Sequence, residues 1–392
     1  MHNETKAIHT PFRLPDAYGA ISMPVYHTAA FEFNCAEDMI ESFSGRSGMP
    51  DYSRVTNPTV YHFEDQIKAL TGADRVFALN SGMAAIANTL MAVASAGKNI
   101  VTSRHVFGNT FALINSTLAR FGVESRLVDL TDLKAVEAAV DANTCCIYLE
   151  IITNPQLEVA DLRQLARIAH SADIPLIADT TAIPFTEFSA KSLGVDIEIV
   201  STTKYLSGGA TSVGGAIIDY GTCPGFGDRI QFELMFNLGA YMTPHVAYMQ
   251  SLGLETLPVR YQRQAASALT VAKALRELPA VKAVNYTGLE DNPFHELSVS
   301  QFGPTAGAML TIDLADRDAC FRFLNKLKIF KRATNLFDNK SLAIHPASTI
   351  FVSFTPEQRA EMDLYDTTIR LSIGLEDPQD LIDDIKQALQ ND

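Results

Sequence analysis

The stretch IEIVSTTKYLSGG, residues 197–209, passes from an apolar run into three hydroxyls, a lysine and two glycines. Its first part, Ile197 to Ser201, has the length and composition of a buried strand. It belongs to a series. Val76 to Leu79, Asn99 to Thr102, Ser125 to Val128, Cys145 to Ile151, Leu176 to Asp179 and Gly215 to Asp219 read the same way. Amphipathic stretches lie between them, as at Leu162, Leu165, Ala166, Ile168 and Ala169. Strands separated by such helices predict an α/β fold, with a mainly parallel seven-stranded sheet flanked by helices. Ligands in that architecture sit at the C-terminal ends of strands. Lys204 follows such an end.

The pattern divides the chain into three expected parts. Residues 1–58 lack strong periodicity, and GRSGMPDYSRVTNPT, 45–59, reads as a long ordered loop. A loop of that length points to function or to packing on another subunit. Residues 59–250 hold the α/β series. Residues 251–392 hold fewer strands, Gly307 to Asp313, Ser341 to Ile344 and Thr367 to Ile373, with helical patterns at 316–328 and 378–390. They are expected to form a smaller α+β domain. One long helical pattern covers 245–276.

Composition narrows the function. Hydrophobic residues make up 47% of the 392 and charged residues 19%, enough for a sizeable core. The formal net charge of -14 argues against a nucleic-acid or anionic-membrane partner. No apolar run reaches membrane-spanning length, and the N-terminus has no signal-peptide core. Five scattered cysteines without a CxxC pair fit reduced thiols in the cytoplasm. The nine histidines show no metal-ligand spacing, so no metal is expected.

Lys204 alone would be an ordinary strand-end lysine. Its neighbours change that. Ser201 and Thr203, two apart, fall on one side of an extended segment. Gly208 and Gly209 would let the backbone approach a ligand. Hydroxyls beside a lysine suit a phosphate-bearing aldehyde. Asn80-Ser81-Gly82-Met83-Ala84-Ala85 opens a helix after a strand, where free N–H groups favour an anion. Ser81 also reads as a plain N-cap. Asp179 ends its strand as a carboxylate that burial would penalise without a partner. A protonated pyridine nitrogen is one such partner.

These residues carry a resemblance. The chain resembles the Cys/Met-metabolism family of pyridoxal-phosphate enzymes, which includes cystathionine γ-synthase, methionine γ-lyase and the O-acylhomoserine sulfhydrylases. Tyr52-Ser-Arg54-Val-Thr-Asn57-Pro58-Thr59 is similar to the family's YxRxxNPT motif, which implies that Tyr52 and Arg54 reach the cofactor phosphate of a neighbouring subunit. Ser81 to Ala85, with Gly82 and Met83, resembles the phosphate-binding helix start. Asn154 resembles the contact to the ring oxygen, and Asp179 and Thr181 the ring-binding pair. Ser201, Thr203 and Lys204 resemble the SxTKY motif, with Lys204 as the cofactor-bearing lysine. Arg370 resembles the clamp for the substrate carboxylate, where a bidentate guanidinium is suited to the task. The resemblance implies the aspartate-aminotransferase-like fold type I, pyridoxal 5'-phosphate as cofactor, and a homo-oligomer: a dimer with shared active sites, assembled into a tetramer.

The departures from the family bear on the reaction. Phe107 stands where the family has a stacking tyrosine; it keeps a flat face but no hydroxyl. Asn335-Leu336-Phe337 replaces the common Ser-Leu-Gly, at a second substrate-carboxylate contact. Glu150-Ile151-Ile152-Thr153-Asn154-Pro155 has two isoleucines for the usual Ser-Pro. The segments 338–349 and 211–215 are most similar to the sulfhydrylase branch. The expected reaction is γ-replacement on an O-acylhomoserine, acetyl or succinyl, by sulfide or a small thiol, with Lys204 and Tyr52 as the catalytic groups. Its rivals are γ-elimination, as in methionine or cystathionine γ-lyase, and cystathionine γ-synthesis.

Overall fold

A computed structural model describes residues 2–13 and 15–390. The main sheet has seven strands: β1 Arg75–Leu79, β2 Asn99–Thr102, β3 Glu124–Leu127, β4 Thr144–Glu150, β5 Leu176–Asp179, β6 Ile197–Val200 and β7 Gly215–Asp219. Their order is β1-β7-β6-β5-β4-β2-β3. Only β7 runs against its neighbours, β1 and β6; the remaining pairs are parallel. Chain order runs one way through β4, β5 and β6 and the other way from β2 to β3. The switch lies beside β4, where such sheets leave a crevice.

Alternation along the strands sorts side chains to the two faces. Phe77, Leu79, Ile100, Cys146, Tyr148, Ile177, Ile197 and Ile217 pack with Ile86, Leu90, Ile114 and Leu118. Val76, Ala78, Ile147, Leu149, Leu176, Ala178 and Ile218 face the other way, with Phe63, Ile67, Leu162 and Leu165. Both faces are covered, which explains why the strands are continuous apolar runs rather than alternating ones.

A second, antiparallel sheet joins β8 Ala283–Asn285, β9 Met309–Asp313, β10 Leu342–Ile344 and β11 Thr368–Ser372 in the order β10-β11-β9-β8. Leu310, Ile312, Ile369 and Leu371 continue the apolar cluster of the first sheet. Among the described residues, no helix is long and apolar enough to cross a membrane.

Several expectations need correction. The long helical pattern is two helices, Pro244–Glu255 and Leu257–Arg276, meeting at Thr256. Pro258 explains the break: it has no N–H for the preceding turn and its ring opposes the carbonyl four residues back. Residues 1–58 hold two short helices, Asn3–Ile8 and Ala36–Phe43. β8 gave no strand signal, having only three residues with its first one exposed.

Candidate active site

The C-terminal ends of β4, β5 and β6 open onto one cavity of about 980 Å³. β6 stops at Val200, so Ser201 to Lys204 form a turn rather than the expected extended segment, and the Lys204 N–H donates to the Ser201 carbonyl at 3.1 Å. Both hydroxyls still line the cavity. Ser201 is fixed by its N–H donating to Thr181 Oγ1 at 2.8 Å. Thr203 Oγ1 accepts the Gly214 N–H at 3.0 Å and donates to the Gly214 carbonyl at 3.1 Å. Gly208 and Gly209 do not line the cavity: a Cβ on Gly208 would press on Gly253, and one on Gly209 on the Asn339 side chain. Their left-handed backbone serves loop packing.

Lys204 Nζ donates to Asn335 Oδ1 at 2.7 Å. Burial, with help from Arg370 and against the pull of Asp179, brings its amine down to about 8. A lysine in that range exchanges protons near neutral pH.

Asp179 ends β5 and accepts the Thr181 N–H at 2.9 Å. Burial raises its carboxyl, while Thr181 and Lys204 oppose the rise. Glu150 ends β4 directly beside it in register. It accepts the Phe107 N–H at 2.6 Å. Burial and then Asp179 push Glu150 well above the usual carboxylate range. Glu150 is not among the site residues expected from the sequence. The signal was there, since an acid closing an apolar strand is the same feature that marked Asp179.

Arg370 on β11 is 2% exposed. Nη1 donates to Asn154 Oδ1 at 3.0 Å, and Nη2 to the Thr334 and Asn335 carbonyls, both at 3.2 Å. Its partners are all neutral oxygens. Nε is buried without a partner, and burial brings the guanidinium down to about 10. An anionic ligand at this end of the cavity would satisfy it.

The helix Gly82–Val93 also begins at the cavity, capped by Ser81, whose Oγ accepts the Ala84 N–H at 3.0 Å. Gly82 is required here by space: a Cβ would stand 2.7 Å from Ser201 Cβ. The helix N-terminus and the Ser201 and Thr203 turn therefore form one polar cradle suited to a phosphate. Met83 and Phe107 line the same cavity. A phosphate cradle, an aromatic face, a buried carboxylate and a lysine thus fit a phosphorylated pyridine aldehyde.

Two expected site residues lie elsewhere. Tyr52 is 45% exposed, and Arg54 Nη1 donates to the Phe236 carbonyl. Neither lines the cavity of its own chain.

The family model described as Cys/Met metabolism PLP-dependent enzyme matches residues 4–390. An L-methionine γ-lyase of Fusobacterium nucleatum subsp. nucleatum is 37% identical over 390 residues, 98% of this chain and 97% of that protein. An O-succinylhomoserine sulfhydrylase of Pseudomonas aeruginosa is 36% identical over 368 residues, 93% of this chain and 90% of that protein. A crystal structure described as an O-acetylhomoserine (thiol)-lyase of Campylobacter jejuni subsp. jejuni superposes with TM-score 0.96 at 33% identity, covering 100% of both chains. It carries a pyridoxyl-lysine phosphate.

Proposed function

Because the chain belongs to the Cys/Met-metabolism family of PLP-dependent enzymes, we propose that it performs γ-replacement on an O-acylhomoserine, with sulfide or a small thiol as the incoming nucleophile. When bound, pyridoxal 5'-phosphate would supply an electron sink for negative charge at the substrate's α-carbon, which would ease proton loss from Cα and Cβ and departure of a group from Cγ. The chain's residues do the rest. Lys204 anchors the cofactor, then its released amine carries protons at Cα and Cβ. Asp179 keeps the proton on the ring nitrogen. Arg370 holds the substrate carboxylate and so fixes which Cα bond faces the lysine. The Gly82 helix start with Ser201 and Thr203 holds the phosphate.

The observation that carries the choice of substrate is the ring of Phe107, a cavity wall that bears no hydroxyl. Among the described residues, no tyrosine of the same chain lines the cavity. An acyl ester leaves as a carboxylate, which needs no acid at neutral pH; a thiolate benefits from one. The likeness to L-methionine γ-lyases favours a second reading, γ-elimination. One assay separates them: purified protein with O-acetylhomoserine, O-succinylhomoserine, cystathionine or methionine, each with and without sulfide. Sulfide-dependent homocysteine from an ester supports replacement. Thiol and keto-acid release from methionine at a comparable rate would move the assignment to a lyase.

The active unit in this reading is at least a dimer. Tyr52 and Arg54 stand outside their own cavity, and the same N-terminal part exposes Tyr18 (97%) and Ile21 (98%). Exposed apolar side chains on an extended arm suit contact with a second copy.

A further inference from the structure

We propose that Asn335 is a positioning residue for Lys204: its side-chain amide holds the lysine's released amine in place for proton transfer, while its main chain is tied to Arg370. The proposal rests on the reading that Lys204 moves the Cα proton. A lysine that first anchors and then acts as a base needs a defined acceptor in its second role. Asn335 Oδ1, at 2.7 Å, is the acceptor that Nζ has among the described residues.

The chemistry of that acceptor matters. A carboxylate there would hold Lys204 as an ammonium. An amide oxygen accepts an N–H from both forms, more strongly from the ammonium, but favours that charge far less than a carboxylate would. It therefore gives direction without imposing a charge. This suits an amine that burial and Arg370 already bring down to about 8.

The reach of Asn335 is fixed from two sides. Its carbonyl accepts from Arg370 Nη2 at 3.2 Å, so one residue touches both the lysine and the carboxylate clamp. Two residues on, Phe337 adopts φ 58°, a left-handed conformation costly for a bulky side chain. It is held there by its N–H donating to Ser372 Oγ at 2.7 Å. Its ring stacks on Tyr205, with centroids 4.2 Å apart and planes 11° apart. Tyr205 is the residue after Lys204. The stack thus clamps the lysine turn to the Asn335 segment, side by side with the hydrogen bond.

The test is deuterium exchange at Cα of L-norvaline, followed by NMR on the holoenzyme across pH. Norvaline has no leaving group, so the reading is independent of replacement or elimination. Asn335→Leu removes the acceptor at similar volume. Exchange at saturating norvaline should slow on the order of 10²-fold, with KM changed by less than about threefold, since Arg370 remains. The acidic limb of its pH profile should move to lower pH, because the ammonium has lost a stabilising acceptor. Asn335→Asp should move that limb to higher pH. An unchanged rate and limb in Asn335→Leu, or a change confined to KM, overturns the proposal. If Asn335→Leu fails to retain cofactor, an unmoved limb in Asn335→Asp overturns it instead. A wild type that exchanges norvaline but replaces no acyl group refutes the proposed reaction and leaves this role standing. Absence of exchange in the wild type refutes both.

Discussion

Glu150 and Asp179 stand side by side in register at the ends of β4 and β5, two half-buried carboxylates that line the cavity from adjacent parallel strands. Two negative charges so placed, each partly desolvated, do not both persist. Glu150 faces the Phe107 N–H, whereas Asp179 faces Thr181 and feels the charge of Lys204. The proton therefore belongs on Glu150, and Asp179 is the anion available to a ring cation.

Replacing Asp179 by Asn should lower kcat on the order of 10²-fold or more, because the charge partner of the ring nitrogen is gone. Glu150→Gln keeps a carbonyl acceptor for the Phe107 N–H and should cost less than about tenfold. Steady-state kinetics on cofactor-saturated variants decide this. Equal damage from both would reverse the assignment.

Arg54 should act in trans. Arg54→Ala and Lys204→Ala subunits are each expected to be inactive alone. Mixed and reassembled, they should recover activity, since each hybrid pair keeps one complete site. Verified hybrids without recovery would count against shared sites.

Phe107→Tyr should improve thioether cleavage more than ester turnover. The restored hydroxyl can protonate a thiolate, whose parent thiol has a pKa around 8.5, but does little for a carboxylate with a pKa around 4. The measurement is kcat/KM for O-acetylhomoserine over methionine in both proteins. The ratio should be large in the native enzyme and smaller in the variant. A native enzyme that cleaves methionine as readily as the ester would show that another group supplies the proton.

Glu198 on β6 is fully buried and accepts hydrogen bonds from Thr180 and Tyr220. Burial raises its carboxyl to about 7 against those bonds. Between the unfolded value of 4.5 and about 7, the folded chain therefore holds a proton that the unfolded chain has lost. That contribution is complete below the unfolded value and disappears as pH rises through about 7. Glu198→Gln does not titrate. Its unfolding free energy relative to wild type, followed by denaturant unfolding, should climb between about pH 5 and pH 7.5, with a limiting slope of about 1.4 kcal/mol per pH unit. A difference independent of pH would mean that Glu198 is ionised throughout.

The main sheet was legible because its strands are buried on both faces and so appear as uninterrupted apolar runs. Lys204 and Asp179 were legible because each closes such a run. Glu150 closes one too, but its importance comes from register with Asp179, and register between strands leaves no mark in a linear sequence. The meeting of Lys204 with Asn335, 131 residues apart, is hidden for the same reason. The break at Thr256 was written in Pro258 and was overridden by the helical periodicity on either side. Gly208 and Gly209 misled in the opposite sense: their flexibility was visible, but not that it is used against Gly253 and Asn339.

The one reversed strand gives the two halves of the cavity different assembly costs. Because β7 returns antiparallel to β6, Val200 pairs with Ala216, and the Lys204 segment is a loop whose ends already meet. Closing it is a local event with a small entropic cost. Arg370 must be brought to Asn154 across 216 residues, and Asn335 to Lys204 across 131. The loss of chain entropy on forming such distant contacts is larger, and they form late. The lysine turn can therefore take shape before the substrate clamp exists. A chain arrested early in folding would already present the lysine in its turn, and nothing yet to hold an amino acid beside it.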